Sequence, residues 1–98
     1  MYLIIYDISD DRVRRKVDRI CKDYGLTRVQ KSAFRGNMRA EQRKRIEEEL
    51  FNTIRDYPDD NIQIYFICEE DYRKGVCITG GEIKGFEKEK EEEIWIYG

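Results

Sequence analysis

The sequence predicts an α+β domain, a ferredoxin-like βαββαβ sandwich with an extra C-terminal strand. Three observations lead there. Strand-forming runs separated by two amphipathic helical stretches suit the order strand, helix, strand, strand, helix, strand, which is the split βαβ arrangement. The chain has 98 residues, enough for one domain with one modest core. The first and third strands are apolar on both faces, whereas the helices of such a fold cover only one. Nothing intramolecular is left for the second face, so a sheet-to-sheet homodimer is the economical cover.

The first strand is Met1–Ile8, and Asp7 breaks its apolar run. Asp7 shares a face with Leu3 and Ile5, opposite Tyr2, Ile4, Tyr6 and Ile8. Ser9, Asp10 and Asp11 then offer an N-cap and acidic first-turn residues. Val13, Val17, Ile20, Cys21 and Tyr24 recur at helical spacing, and Gly25 ends that helix. Its other face is Arg12, Arg14, Arg15, Lys16, Arg19 and Lys22. Leu26–Phe34 alternates with period two and reads as a strand, with Leu26, Arg28, Gln30, Ser32 and Phe34 on one face and Arg35-Gly36-Asn37 as the turn after it. A second helix runs from about Arg39 to Asp56, with Ile46, Leu50 and Ile54 inward and Phe51 beside them. Pro58 and its neighbours end it.

Ile62–Cys68 reads as the third strand. Its apolar run over Ile64–Ile67 suits a central, doubly covered position. Glu69–Gly75 is a loop, and Val76–Thr79 a short fourth strand. Residues 1–80 thus make the ferredoxin-like core. Gly80-Gly81 is a turn, after which 81–98 forms an acidic linker, EKEKEEE at 87–93, expected to be mobile or loosely helical. The apolar Ile94-Trp95-Ile96-Tyr97 is expected to pair with an edge of the partner subunit.

Charged residues make up 41% of the chain, against roughly 25% in ordinary globular proteins. No apolar run approaches the ~20 residues of a membrane span, so a cytoplasmic protein without membrane contact is expected. Histidine is absent, which removes Ser-His and Cys-His nucleophile pairs and argues against zinc. Cys21, Cys68 and Cys77 sit among apolar neighbours and read as small reduced residues. The net charge of −2 conceals an asymmetry: residues 1–45 hold 13 Lys/Arg against 6 Asp/Glu, and residues 46–98 hold 6 against 15. A basic half of this kind attracts phosphates.

Asp7 is the residue that chemistry would want. Either it closes a strand by hydrogen-bonding the turn into the first helix, or it is a carboxylate held for catalysis. One carboxylate grips magnesium poorly, and two Asp7 residues meeting across a dimer axis would do better. Arg12, Arg14, Arg15, Lys16 and Arg19, with Arg28, Lys31, Arg35 and Arg39, offer a phosphate-tracking surface. The alternative is i,i+4 pairing, Arg14 with Asp18 and Arg19 with Asp23. Arg28, Ser32 and Phe34 on one strand face would combine a guanidinium, a hydroxyl and a stacking ring. There is no P-loop, dinucleotide glycine fingerprint or RRM aromatic signature.

The segments YLIIYDISDDRVRRKV, GLTRVQKSAFRG and IYFIC together resemble the CRISPR-associated protein two family, the small subunit that works with the CRISPR integrase in spacer acquisition. The likeness covers about the first 80 residues and is only generic beyond Gly81. It implies a homodimer whose C-terminal strand, here Ile94–Tyr97, crosses to the partner sheet. It also implies a magnesium-dependent endoribonuclease, or in some members a nuclease for duplex DNA. Others act as a non-catalytic DNA-binding scaffold bridging integrase dimers. By this resemblance Asp7 matches the metal-binding, catalytic aspartate and Tyr6 its catalytic neighbour. Arg14, Lys16, Arg28, Ser32 and Phe34 fall on positions linked with activity or with RNA and DNA contact. Lys16 stands where some relatives carry arginine, which keeps the charge and loses the bidentate fork. A third reading, a regulatory dimer for a small molecule, predicts no salt-dependent affinity for nucleic acid.

Overall fold

The first strand lies at the centre of the fold. β1 (Tyr2–Asp7) pairs antiparallel with β3 (Ala33–Gly36) on one side and with β4 (Asn61–Phe66) on the other, and β2 (Thr27–Gln30) completes a sheet of order β2-β3-β1-β4. This computed structural model describes residues 1–86 and divides into two units, Met1–Phe66 and a second from Ile67 onward. The antiparallel order with two crossover helices is the ferredoxin-like arrangement expected of the sequence.

The helices form where the apolar spacing put them. In α1 (Asp11–Asp23) Val13, Val17 and Cys21 are buried, and in α2 (Ala40–Ile54) Ile46 and Leu50 are. Asp10 takes the N-cap of α1, its carboxylate accepting the N–H groups of Arg12 at 2.7 Å and Val13 at 3.1 Å. Gly25, in the left-handed region at φ +77°, ends α1 in a Schellman motif. Its N–H donates to the Lys22 carbonyl and that of Leu26 to the Cys21 carbonyl. At the start of α2 the Arg39 N–H donates to Gln42 Oε1 at 3.0 Å. Both helices cover one face of the sheet, where Ile4, Tyr6, Ile8 and Phe34 join their apolar residues in a single core.

The structure corrects several expectations. Leu26–Phe34 is not one strand but most of the hairpin β2–β3, which turns at Lys31-Ser32 and supplies the second and third strands of the βαββαβ order. A bulge between Arg28 and Gln30 shifts the register there. Period-two alternation passes through such a turn unmarked when it carries no glycine, proline or asparagine. Arg35 and Gly36, expected in a turn, continue β3. A Cβ on Gly36 would stand 2.8 Å from Leu26 Cδ2. β4 lies at the sheet edge rather than at its centre. Its apolar run is only partly covered, since Tyr65 is 46% and Phe66 74% exposed. Phe51 points outward from α2, 64% exposed.

In the second unit the stretch read as a loop contains a short helix, α3 (Glu69–Arg73). β5 (Val76–Thr79) forms as expected and turns at Gly80-Gly81 into β6 (Glu82–Gly85), a strand the polar composition had hidden. The Tyr72 and Phe86 rings stack at 4.6 Å. The EKEKEEE stretch and the expected strand Ile94–Tyr97 lie outside the described residues.

Candidate functional site

The pleat of β1 separates the two residues that the sequence singles out most strongly. Tyr6 points into the core, whereas Asp7 emerges, exposed, on the face away from the helices. The same face carries Leu3 and Ile5 of β1, Ala33 and Arg35 of β3, and Asn61, Gln63 and Tyr65 of β4, as the registers Ile5↔Ala33, Leu3↔Tyr65 and Asp7↔Asn61 require. Ile5 is 40% exposed.

The turn from β1 into α1 is held by other aspartates. Asp10 caps the helix, and burial opposes this less than the Val13 and Arg12 N–H groups favour it, so its carboxyl lies below the ordinary value. Asp60 accepts from the Ser9 N–H at 3.2 Å and the Ser9 hydroxyl at 3.3 Å. Among the described residues the Asp7 carboxylate makes no side-chain hydrogen bond or ion pair. It is an oxygen donor of the kind magnesium takes. No group of three His, Cys, Asp or Glu side chains among the described residues gathers around one cation position. The described residues of a single chain therefore form no cage for magnesium.

Tyr6, Arg28 and Phe34 come together on the opposite, helix-covered face. The Tyr6 hydroxyl donates to Asp18 Oδ1, and Arg28 Nη2 donates to Asp18 Oδ2 at 2.8 Å. Arg28 Nη1 reaches the Lys31 carbonyl at 2.7 Å. Phe34 is fully buried, its ring stacked 6.4 Å from that of Tyr6 and 4.8 Å from the Arg28 guanidinium carbon. Arg28 and Phe34 share a face as strand alternation predicts, and it is the helix-covered one, where the Phe34 ring is enclosed. Ser32 lies in the hairpin turn beside this cluster. Burial pushes the Tyr6 hydroxyl well above the ordinary tyrosine value, and its bond to Asp18 adds to the effect. The Cys21 thiol is pushed up to about 12, first by burial and then by the charge of Asp18. The Asp18 bond raises Arg28 further.

Asp18 is the residue that sequence reasoning assigned elsewhere. It was paired with Arg14 along the helix, yet Arg14 turns to Asp11 at 2.9 Å and to the Ile8 carbonyl at 3.2 Å. The available signal was its place next to Val17 and one turn before Cys21, on the flank of the buried stripe. Arg12, Arg15, Lys16, Arg19 and Lys22 stay exposed along α1 and give that helix a basic surface.

Comparison with known proteins gives the family and the fold. Residues 1–75 match the family described as CRISPR associated protein Cas2. A protein of Korarchaeum cryptofilum named CRISPR-associated endoribonuclease Cas2 is 45% identical over 80 residues, covering 82% of this chain and 85% of its own. A CRISPR-associated endonuclease Cas1/endonuclease Cas2 fusion of Thermoproteus tenax is 41% identical over 56 residues, or 56% of this chain and 21% of the fusion. The crystal structure of Streptococcus pyogenes Cas2 superposes with a TM-score of 0.71 at 25% identity, covering 80% of this chain and 98% of that one.

Proposed function

The chain belongs to the CRISPR-associated Cas2 family, and from that premise we propose a nucleic-acid-binding homodimer of spacer acquisition that hydrolyses phosphodiester bonds, RNA foremost, at a magnesium ion shared by two Asp7 carboxylates. The observation that carries this reading is the placement of Asp7: exposed, uncommitted, and on a sheet face whose Leu3, Ile5 and Tyr65 suit contact with a second copy. Magnesium held there would act as a Lewis acid on a phosphoryl oxygen and supply a nucleophilic water. Asp7 would hold the cation. The exposed Arg12, Arg15, Lys16 and Arg19 draw the phosphate backbone to the protein. With no histidine in the chain, proton transfer to the leaving oxygen falls to water, carboxylates, tyrosine or lysine. The relatives named endoribonuclease support RNA as the substrate. No helix among the described residues is long and apolar enough to cross a membrane, in keeping with action on nucleic acid in the cytoplasm.

One observation favours a second reading. Among the described residues Asp7 belongs to no group of three metal-ligating side chains, and the Tyr6 hydroxyl is spent on the far side of the sheet. A DNA-binding scaffold that spaces integrase dimers needs neither, and the Cas1/Cas2 fusion supports an integrase partner. Cleavage of end-labelled RNA and duplex DNA by wild type and Asp7→Asn, with magnesium or EDTA and with binding measured on the same samples, separates the two. Magnesium-dependent cleavage that disappears in Asp7→Asn while binding persists is expected of the enzyme. Binding by both proteins with cleavage by neither makes the protein a scaffold.

A further inference from the structure

A closed ring of contacts surrounds the residue that precedes Asp7. The Tyr6 hydroxyl donates to one oxygen of Asp18, and Arg28 Nη2 donates to the other at 2.8 Å. The second terminal nitrogen of Arg28 donates to the Lys31 carbonyl at 2.7 Å. The carbonyl of the next residue, Ser32, accepts the Tyr6 backbone N–H at 3.0 Å and returns the path to its start. Phe34 fills the middle, against both the Tyr6 ring and the Arg28 guanidinium.

The ring lies where β1 needs support. Register pairing of β1 with β3 ends at Ile5↔Ala33, so beyond Ile5 the Ser32 carbonyl holds that side of the strand. On the other side β4 continues to Asp7↔Asn61. The hairpin turn is in turn fixed by Arg28, and Arg28 by Asp18 of α1. Both terminal nitrogens of Arg28 are occupied, and a ring lies beneath its plane. Such a guanidinium is committed to the protein through charge-assisted, directional bonds. Because successive side chains on a strand alternate in direction, fixing Tyr6 in the core also fixes the direction in which Asp7 leaves the sheet.

We propose that Asp18 is a positioning residue of the Asp7 site, and that Tyr6, Arg28, Ser32 and Phe34 serve that site by closing this ring rather than by touching nucleic acid. The inference rests on Asp7 being the cation ligand.

The test compares wild type with Asp18→Asn, Arg28→Gln and Tyr6→Phe by backbone amide exchange, salt-dependent RNA binding and cleavage kinetics. Tyr6→Phe keeps the Asp18–Arg28 pair and serves as the milder variant should the others fail to fold. In each variant the Tyr6 and Asp7 amides are expected to exchange faster while the Val17 amide in α1 keeps its protection. The slope of log affinity against log salt stays at the wild-type value in all variants. In cleavage, kcat falls by roughly 10- to 100-fold, as misplacement of a reacting group does, and KM holds. A slope flattened by about 0.7 in Arg28→Gln would reveal a lost phosphate contact to single-stranded RNA and overturn the proposal. Unchanged exchange at Tyr6 and Asp7 in both Asp18→Asn and Tyr6→Phe would overturn it too. If wild type neither binds nor cleaves RNA, the reading of Asp7 falls, and amide exchange alone still decides whether the ring positions the end of β1.

Discussion

Replacing Phe34 with leucine separates a core ring from a base-stacking one. Phe34 is fully buried, packed against the Tyr6 ring at 6.4 Å and the Arg28 guanidinium carbon at 4.8 Å. Leucine preserves most of the apolar burial and removes both aromatic contacts. The ring pair contributes ~0.5–1.5 kcal/mol beyond burial and a partly exposed cation–π contact ~0.5–1 kcal/mol, so the loss is about 2 kcal/mol. In a domain of this size each kcal/mol moves Tm by about 4–8 °C, giving a fall of roughly 8–16 °C. Thermal unfolding followed by circular dichroism at one fixed protein concentration reads it, because self-association would make Tm concentration-dependent. RNA affinity, measured well below the lowered Tm, should stay near wild type. An unchanged Tm with weakened RNA binding would refute the reasoning, since the ring would then be acting on bases.

Further outcomes follow from other sites. Asp10 has its carboxyl held below the ordinary value by the N–H groups of Val13 and Arg12. A depressed carboxylate adds stability above its unfolded pKa of about 3.9 and loses it as pH falls through the folded value. Asp10→Asn, which caps without ionising, should therefore show a flatter Tm profile than wild type below about pH 4; parallel profiles would exclude this cap as a source of acid sensitivity. Under native conditions an alkylating reagent should modify the exposed Cys68 well before the buried Cys21, whose thiol is pushed up to about 12; equal rates, read by peptide mass spectrometry, would contradict the burial. Ile5→Lys, on the open sheet face, should convert the proposed dimer to monomer in sedimentation experiments, and a persistent dimer would place its interface elsewhere.

What could be read from the sequence was what depends on spacing. The offsets of Val13, Val17 and Cys21 fixed α1 and its buried face, and Asp10 and Gly25 marked its ends. The alternation of β1 correctly put Asp7 with Leu3 and Ile5. It could not say which face the helices take, because both faces are apolar. The β2–β3 hairpin was missed because Lys31-Ser32 carries no glycine, proline or asparagine to interrupt the alternation. Alternation did put Arg28 and Phe34 on one face, where they meet across the hairpin, but it could not tell that this face is the buried one. The partners of Asp18 were hidden for a related reason. Its partners Tyr6 and Arg28 come from two strands whose position over α1 is a tertiary fact, while the helix itself offered Arg14 as an equally good neighbour.

The central position of β1 also sets the schedule on which the protein assembles as it leaves the ribosome. The strand made first has neighbours made much later: Ile4 faces Phe34 on one side and Ile64 on the other. The second closure spans about twice the length of the first, and a doubling costs only ~0.6 kcal/mol. Timing, not equilibrium, therefore orders the two events. Once Gly36 has emerged, β1, α1 and the hairpin that closes the Tyr6 ring are all available, while the β4 side of β1 stays bare until Asn61–Phe66 follows. During that interval the nascent chain exposes an unpaired strand next to Asp7, and a pause in translation there would lengthen its exposure to other strands.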